Sequence, residues 1–231
     1  MADQRPAYVV ARAPARVSLS DEAAWAGAAV AEISHWHAAG SDHRPNTTAS
    51  LMYSDDHIYA RFVVDDRYVL ARNKESNGPV YTDSCVEFFF APGTGRYTNL
   101  ETNAIGAMLI GVGPEKTDGC KDGVIAPEQI GRIERWASAG DAPFDERAAL
   151  RWSVAYALPI ALVEELHGPL GGARPAPGVR WRGNFYKCAD ASSRPHWGQW
   201  ASIGEALNFH QPEFFGTIVF DGPGACPGGT G

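Results

Sequence analysis

The most regular alternation of apolar and polar positions lies in residues 78–106. From residue 85 to residue 90, successive side chains are predicted to point to opposite faces of a strand. One face is apolar and the other is mixed: Val86, Phe88 and Phe90 against Cys85, Glu87 and Phe89. Residues 91–95 have the composition of a turn, and the return strand places Asn99, Glu101 and Asn103 on one face. The segment therefore predicts a β-hairpin with one apolar face and one face of Glu and Asn side chains.

Short strands separated by turn residues are predicted along most of the remaining chain. They cover an edge strand at 8–10 and further strands at 30–36, 47–53, 57–64, 130–136, 150–157, 179–187 and 214–220. Asp65 and Asp66 are predicted to end the strand that begins at residue 57. Residues 194–200 are predicted to form an aromatic-rich loop.

Only two short helices are predicted. Ser20 is expected to cap the first, and Pro159 is expected to open the second over residues 160–166. Many short strands with one or two short helices indicate an all-β fold, an antiparallel β-sandwich of jelly-roll or immunoglobulin-like type. Because the chain has no internal repeat and no interior linker, we expect an N-terminal arm at 1–18, one sandwich domain at 19–220 and a flexible tail at 221–231.

The composition of the 231 residues argues against several function classes. A hydrophobic fraction of 45% suffices for a full core. A net charge of −7 without a basic cluster argues against nucleic-acid and anionic-membrane partners. No stretch approaches the roughly 20 apolar residues of a membrane span, and no signal peptide is recognised, so a cytoplasmic location is expected. Nothing in the pattern indicates an oligomeric state.

The cysteines and clustered histidines do not have the spacing of a metal site. The four cysteines lie far apart without a CxxC motif, so free thiols are expected, with a Cys120–Cys226 bridge as the alternative. The three histidines near residue 40 are expected to lie at the surface or the edge of the core: His35, His37 and His43.

Several predicted strands carry a polar residue on the face turned away from the core. These residues are Arg61, Glu87, Glu101, Asn103, Arg182 and Asn184. Such positions are either the solvated outer face of antiparallel strands or the polar part of one shared binding site. The alternation alone leaves both interpretations open.

Several ordered motifs resemble the family 9 carbohydrate-binding modules and their stand-alone bacterial relatives. They are DDRYV at 65–69, PVYTDSCVEFF at 79–89, YTNLETNAIG at 97–106, WRGNFYK at 181–187, WGQW at 197–200 and FHQPEFFG at 209–216. The similarity covers nearly the whole chain, from about residue 15 to residue 220. A series of motifs in the same order identifies a family far more specifically than any single motif does.

The resemblance implies a lectin-like β-sandwich that binds sugars, typically at chain ends, between two aromatic rings. It implies that Tyr81 is one of these aromatics and that the second is Trp197 or Trp200, with Trp200 slightly favoured. It also implies that Glu87, Glu101 and Asn103 hydrogen-bond the sugar. Members of the family are attached to glycan-degrading enzymes, which implies a role in polysaccharide catabolism.

The resemblance further implies structural calcium as a cofactor. Acid-rich loop positions could supply hard oxygen ligands for it: Asp65, Asp66, Asp83 and Asp118. Their spacing does not follow an EF-hand pattern.

Three functions are therefore weighed. The first is non-catalytic binding of a mono- or oligosaccharide, held by aromatic rings and by Glu, Asn and Arg side chains. The second is a glycan-active enzyme of the glycoside hydrolase type, in which Glu87 and Glu101 would form the carboxylate pair. The third is a structural or protein-interaction sandwich without a ligand.

Overall fold

The computed structural model describes residues 5–115 and 123–222. Its strands in these ranges are β1 Ala7–Arg12, β2 Ala31–Glu32, β3 His35–Trp36, β4 Asn46–Tyr53, β5 His57–Ala71, β6 Cys85–Ala91, β7 Arg96–Asn103, β8 Met108–Pro114, β9 Glu134–Ala137, β10 Phe144–Pro159, β11 Arg180–Cys188, β12 Trp197–Gln199 and β13 Gly216–Phe220. Cys120, Cys226, Asp118 and most of the predicted tail lie outside the described residues.

The strands form a β-sandwich, which confirms the predicted fold class. The first sheet has the order β8-β7-β6-β11-β13-β1, and the second has the order β1-β4-β5-β10-β9. β2 pairs with β4, while β12 joins β11 to β3. All pairs are antiparallel except those of β1, which runs parallel to both of its neighbours.

Strand β1 belongs to both sheets. Its first half, residues 7–10, pairs with β13, and Ala11 and Arg12 pair with β4. Over residues 8–10, where an edge strand is predicted, β1 pairs with β13, and the strand continues to a second partner at Ala11. β1 links the two sheets at one side of the sandwich.

The main core fills the space between the two sheets. Phe62 of β5 meets Phe185 of β11 with ring centroids 6.1 Å apart, and Phe185 stacks on Phe88 of β6 at 5.2 Å. The alternation predicted for β6 is confirmed, since Val86, Phe88 and Phe90 all lie in this core. Burial of each large apolar side chain contributes roughly 1.5–3 kcal/mol to the folded state.

The opposite face of the first sheet is covered by the segment between β12 and β13. Phe89 and Tyr186 lie in a second, smaller core with Phe215. Phe209 stacks on Tyr186 with ring centroids 4.1 Å apart. The segment thus covers one part of the sheet and leaves the neighbouring Glu87 and Glu101 positions beside an opening.

The bounds of three predicted segments differ in the structure. β5 continues through Asp65 and Asp66 to Ala71, because the long strand β10 pairs with it along this stretch. The predicted strand at 30–36 is divided into the two-residue strands β2 and β3. The predicted loop at 194–200 contains β12, which pairs with the end of β11.

Helical structure is limited to short segments in the described residues. The α-helices are α1 Pro127–Ile130 and α2 Ile160–His167, and 3-10 turns lie at Glu22–Trp25, Val80–Thr82, Gly171–Ala173 and Pro212–Phe214. Pro159 stands at the N-cap of α2, as predicted. Asp21, not Ser20, caps the first turn, because its carboxylate accepts a hydrogen bond from the Ala23 amide. None of these helices has the length and apolar character needed to cross a membrane.

Candidate functional site

A cavity of about 490 Å³ opens on the outer face of the first sheet. Strands β6, β7 and β8 and the end of β11 form its floor, and the segment around residues 207–210 forms one wall. The lining residues are Tyr81, Glu87, Asn99, Glu101, Leu109, Gly111, Gly123, Val124, Cys188, Asp190, Trp197, Leu207, Asn208, Phe209 and His210. The described lining contains three carboxylic acids and no Lys or Arg.

Glu87 and Glu101 form the acidic part of the floor. They are direct cross-strand partners on β6 and β7 and are only 3% and 5% exposed. Burial raises the pKa of Glu101 to about 7 and raises the pKa of Glu87 well above its usual range. Because the two carboxyl groups share a poorly solvated site, each of them loses its proton at a higher pH than a carboxyl group in water does.

The hydrogen bonds of this pair are incomplete. Asn99 Nδ2 donates to Glu101 Oε1 at 2.9 Å, and Cys188 Sγ donates to Glu87 Oε1 at 3.1 Å. Glu101 Oε2 is buried and has no hydrogen-bond partner among the described residues. A buried acceptor without a partner costs about 1–3 kcal/mol, so the hydrogen bonding of this carboxyl group is incomplete in the described structure.

Aromatic side chains line the cavity above this floor. Tyr81 projects from a 3-10 turn and is 42% exposed. Trp197 of β12 is half-buried, and its Nε1 donates to Asp190 Oδ1 at 2.7 Å. Phe209 is held by its stacking on Tyr186. The hydrogen bond and the stacking fix two of the rings, while Tyr81 has more freedom.

The structure brings together four of the residues predicted for the site: Tyr81, Glu87, Glu101 and Trp197. It places the other five away from the cavity. Asn103 is fully buried at the end of β7, where its Nδ2 donates to Asp83 Oδ2 at 2.8 Å. Its Oδ1 accepts from the Ala107 amide at 2.9 Å, so this side chain supports the turn after β7.

The sequence-based preference for Trp200 over Trp197 is not supported by the position of the ring. Trp200 is 9% exposed and lies in the main core, 5.5 Å from Phe185 and 6.4 Å from Tyr8 between ring centroids. The two tryptophans therefore lie on opposite sides of the sheet. Of the pair, Trp197 lines the cavity.

The remaining predicted polar residues have structural partners elsewhere. Asn184 is fully buried and exchanges two 2.8 Å hydrogen bonds with the backbone of Ala201. Arg182 donates to the Pro212 carbonyl. Arg61 belongs to the second sheet, where its nearest acid is Glu22 at 3.8 Å. These three positions do not contribute to the cavity.

Three of the four acids predicted as calcium ligands have other partners in the structure, and Asp118 lies outside the described residues. Asp83 Oδ2 accepts from the Arg72 and Asn73 amides at 3.0 and 2.9 Å. Asp66 pairs with His43 and Lys187 inside the sandwich, and Asp65 lies 3.4 Å from Arg151. Asp65, Asp66 and Asp83 do not converge as one group of ligands in the described part of the chain, and calcium binding stays a prediction.

Several cavity residues are not among those predicted for the site. Asn99 lies on the same strand face as Glu101, as the alternation predicts. Phe209 and His210 belong to the motif at 209–216, from which no role in the site follows. Cys188 and Asp190 carry no sequence signal, because only the pairing of β11 with β6 places the strand end beside Glu87.

Comparison with known proteins gives one family and a consistent fold. The profile of carbohydrate-binding family 9 matches residues 18–220. Comparison with curated proteins gives no match. A candidate carbohydrate-binding protein from Bacteroides uniformis has a similar structure, with a TM-score of 0.82 and 28% sequence identity over 94% of this chain and 100% of that chain.

Two further structures belong to a family 9 carbohydrate-binding module from Caldicellulosiruptor kristjanssonii. The complex with glucose has a TM-score of 0.62 and 16% identity, over 96% of this chain and 98% of that chain. The complex with cellotriose has the same TM-score and identity, over 95% and 96%. At this level of identity, the likeness shows a shared fold.

Proposed function

The chain belongs to carbohydrate-binding family 9, and on this basis we propose that its cavity binds the end of a mono- or oligosaccharide without cleaving it. The observation that carries the proposal is the meeting of Glu87 and Glu101 with the aromatic rings of Tyr81 and Trp197 in one cavity. The cavity volume lies within the range typical of small-molecule sites, roughly 300–1,000 Å³.

Tyr81 and Trp197 are the proposed aromatic contacts. The C–H face of a pyranose is apolar and packs on an aromatic plane, whereas its hydroxyl groups project from the edge. An exposed tyrosine and a tryptophan fixed by Asp190 provide two such planes. We assign the second aromatic contact to Trp197, because Trp200 lies in the main core.

Glu101 and Glu87 are the proposed hydrogen-bonding groups for sugar hydroxyls. The carboxyl group of Glu101 accepts a hydrogen bond from one hydroxyl, and the carboxyl group of Glu87 hydrogen-bonds another. A stacked ring with two or three hydrogen bonds suits binding in the micromolar to millimolar range, which corresponds to about 4 to 8 kcal/mol.

The first ligands to test are glucose and cellotriose, because relatives of the same fold are known in complex with them. Calorimetric titration of the protein is expected to give saturable binding of one of these sugars. Tyr81→Ala is expected to weaken that binding about tenfold, since loss of an aromatic contact costs on the order of 1 kcal/mol or more.

Trp136→Ala is the matched control, because Trp136 is a half-buried aromatic on β9 and lies outside the cavity. It should leave the sugar affinity unchanged. Equal affinities for the wild-type protein and Tyr81→Ala would remove Tyr81 from the site.

A hydrolytic use of the same cavity is the second candidate function. The direct opposition of Glu87 and Glu101 on neighbouring strands is the observation that favours it. Such a pair could serve as acid and nucleophile in glycoside hydrolysis. Release of reducing sugar from cello-oligosaccharides, abolished in Glu87→Gln, would identify an enzyme, whereas binding without release supports the proposed function.

A further inference from the structure

Two thiols and a carboxyl group meet at the cavity floor. The ligand atoms of Cys85, Glu87 and Cys188 all lie within 4.8 Å of one another, and all three residues are buried. Cys85 and Cys188 are direct cross-strand partners on β6 and β11. Glu87 follows Cys85 by two positions and therefore projects from the same face of β6. The backbone register of two paired strands thus assembles the cluster.

These distances fit a tetrahedral zinc ion. With zinc–sulfur bonds of about 2.3 Å and a zinc–oxygen bond of about 2.0 Å, two sulfur ligands lie about 3.8 Å apart, and sulfur and oxygen ligands lie about 3.5 Å apart. Cys188 Sγ and Glu87 Oε1 are 3.1 Å apart, so they need to separate by only a few tenths of an ångström. The other two separations, from Cys85 Sγ to Cys188 Sγ and from Cys85 Sγ to the Glu87 carboxyl oxygen, are each within 4.8 Å, a limit that includes the values needed for zinc.

The surroundings of the cluster contain acids but no facing basic side chain among the described residues of the cavity. Lys187 is the neighbour of Cys188 on β11, and its side chain points to the other face of the sheet, where Nζ lies 2.8 Å from His196 Nε2. In the metal-free cluster, Cys188 Sγ donates a hydrogen bond to Glu87 Oε1. A divalent cation would replace this proton as the partner of the three side chains.

We propose that Cys85, Cys188 and Glu87 bind a zinc ion whose fourth position opens into the cavity. Two thiolates select zinc over calcium or magnesium, which prefer oxygen ligands. Glu87 and Cys188 line the cavity whereas Cys85 does not, so the site is closed by protein on one side and open on the other. The site binds metal whether or not the cavity binds a sugar.

The test uses the whole chain, purified with a phosphine reductant and depleted of metal by a chelator. Zinc is then titrated in competition with a chromophoric chelator, and cobalt is used separately as a spectroscopic probe. We expect one zinc ion for each chain and a thiolate-to-cobalt charge-transfer band in the near ultraviolet. Zinc should also raise the melting temperature, because it binds the folded state.

Cys85→Ser and Cys188→Ser are each expected to weaken zinc binding more than about 100-fold, because the loss of an outer-shell partner alone costs 10–100-fold. Glu87→Gln is expected to weaken binding while retaining the thiolate band. The matched control is Cys120→Ser with Cys226→Ser, which removes the other two cysteines and should leave zinc affinity unchanged.

Circular dichroism checks that each variant is folded before its affinity is compared. The wild-type protein provides a test that needs no variant. If its four thiols titrate as free and it fails to compete with the chelator for zinc, the proposal is overturned. It is also overturned if zinc binding or the cobalt band persists when both Cys85 and Cys188 are replaced.

Discussion

Glu101 illustrates, for a single residue, how burial prepares a group for binding. Its Oε1 atom is held by Asn99, which fixes the carboxylate plane on the face of β7. Its Oε2 atom remains without a partner in the described structure. The sequence predicts the orientation of Glu101 through strand alternation. It does not predict the depth of burial, which depends on how the segment around Phe209 folds over the sheet.

Replacement of Glu101 tests this role. Glu101→Ala is expected to weaken sugar binding about 10- to 100-fold, because a hydrogen bond to a charged group contributes roughly 1.5–3 kcal/mol. Calorimetric titration measures the effect. Glu134→Ala, which removes an exposed glutamate from β9, is the control and should bind normally. Unchanged affinity in Glu101→Ala would mean that the ligand does not use this carboxyl group.

At the scale of secondary-structure elements, helix α2 is joined to the β6–β7 hairpin by a buried histidine. His167 ends the helix, and the hydroxyls of Thr94 and Thr98 lie 3.0 Å from its Nδ1 and 2.8 Å from its Nε2. Burial, with a smaller contribution from Arg96, lowers the pKa of His167 to about 4. The unfolded chain therefore binds a proton at this residue more readily than the folded chain does.

This difference makes stability depend on pH. With a pKa near 6.5 when unfolded and about 4 when folded, the contribution of His167 is complete above pH 6.5 and is lost as the pH falls towards 4. Urea unfolding is expected to show that His167 accounts for a loss of about 2 kcal/mol between pH 7.5 and pH 5. His167→Gln should make that dependence shallower. An unaltered slope in His167→Gln would assign the pH effect to other groups.

Most strands and helices are predictable from the sequence, whereas the residues at which they end are not. The β6–β7 hairpin follows from alternation around a turn rich in Gly and Pro. The continuation of β5 past Asp65 and Asp66 was missed because two adjacent acids are normally solvated. Asp66 is buried because His43 and Lys187 face it, and these partners come from distant parts of the sequence. Cys188 and Asp190 are likewise distant from Glu87 in the sequence, so the sequence pattern does not associate them with it.

For the whole molecule, one charged contact joins the two sheets through the core. Lys187 of the first sheet is fully buried, and its Nζ lies 3.6 Å from Asp66 Oδ2 in the second sheet. Burial opposes the charge on Asp66, but Lys187 and His43 outweigh it and hold the pKa of Asp66 below its usual value. Each charge is compensated only when the sheets are correctly packed.

Removal of the lysine charge is therefore expected to destabilise the whole sandwich. Lys187→Met should lower the free energy of unfolding by about 3–5 kcal/mol, because it leaves a buried carboxylate without its cation. Lys187→Met combined with Asp66→Asn should recover part of this loss. Denaturant unfolding measures both variants, and similar stability of Lys187→Met and the wild-type protein would contradict the importance of this pair.

The most direct test of the central proposal is tryptophan fluorescence during titration with the sugar that binds, starting with glucose and cellotriose. The account predicts that ligand binding changes the emission of the wild-type protein and of Trp136→Phe. It predicts that this change is largely lost in Trp197→Phe, because Trp197 is the tryptophan that lines the cavity. A full fluorescence response and unchanged affinity in Trp197→Phe would place the sugar elsewhere and contradict the account.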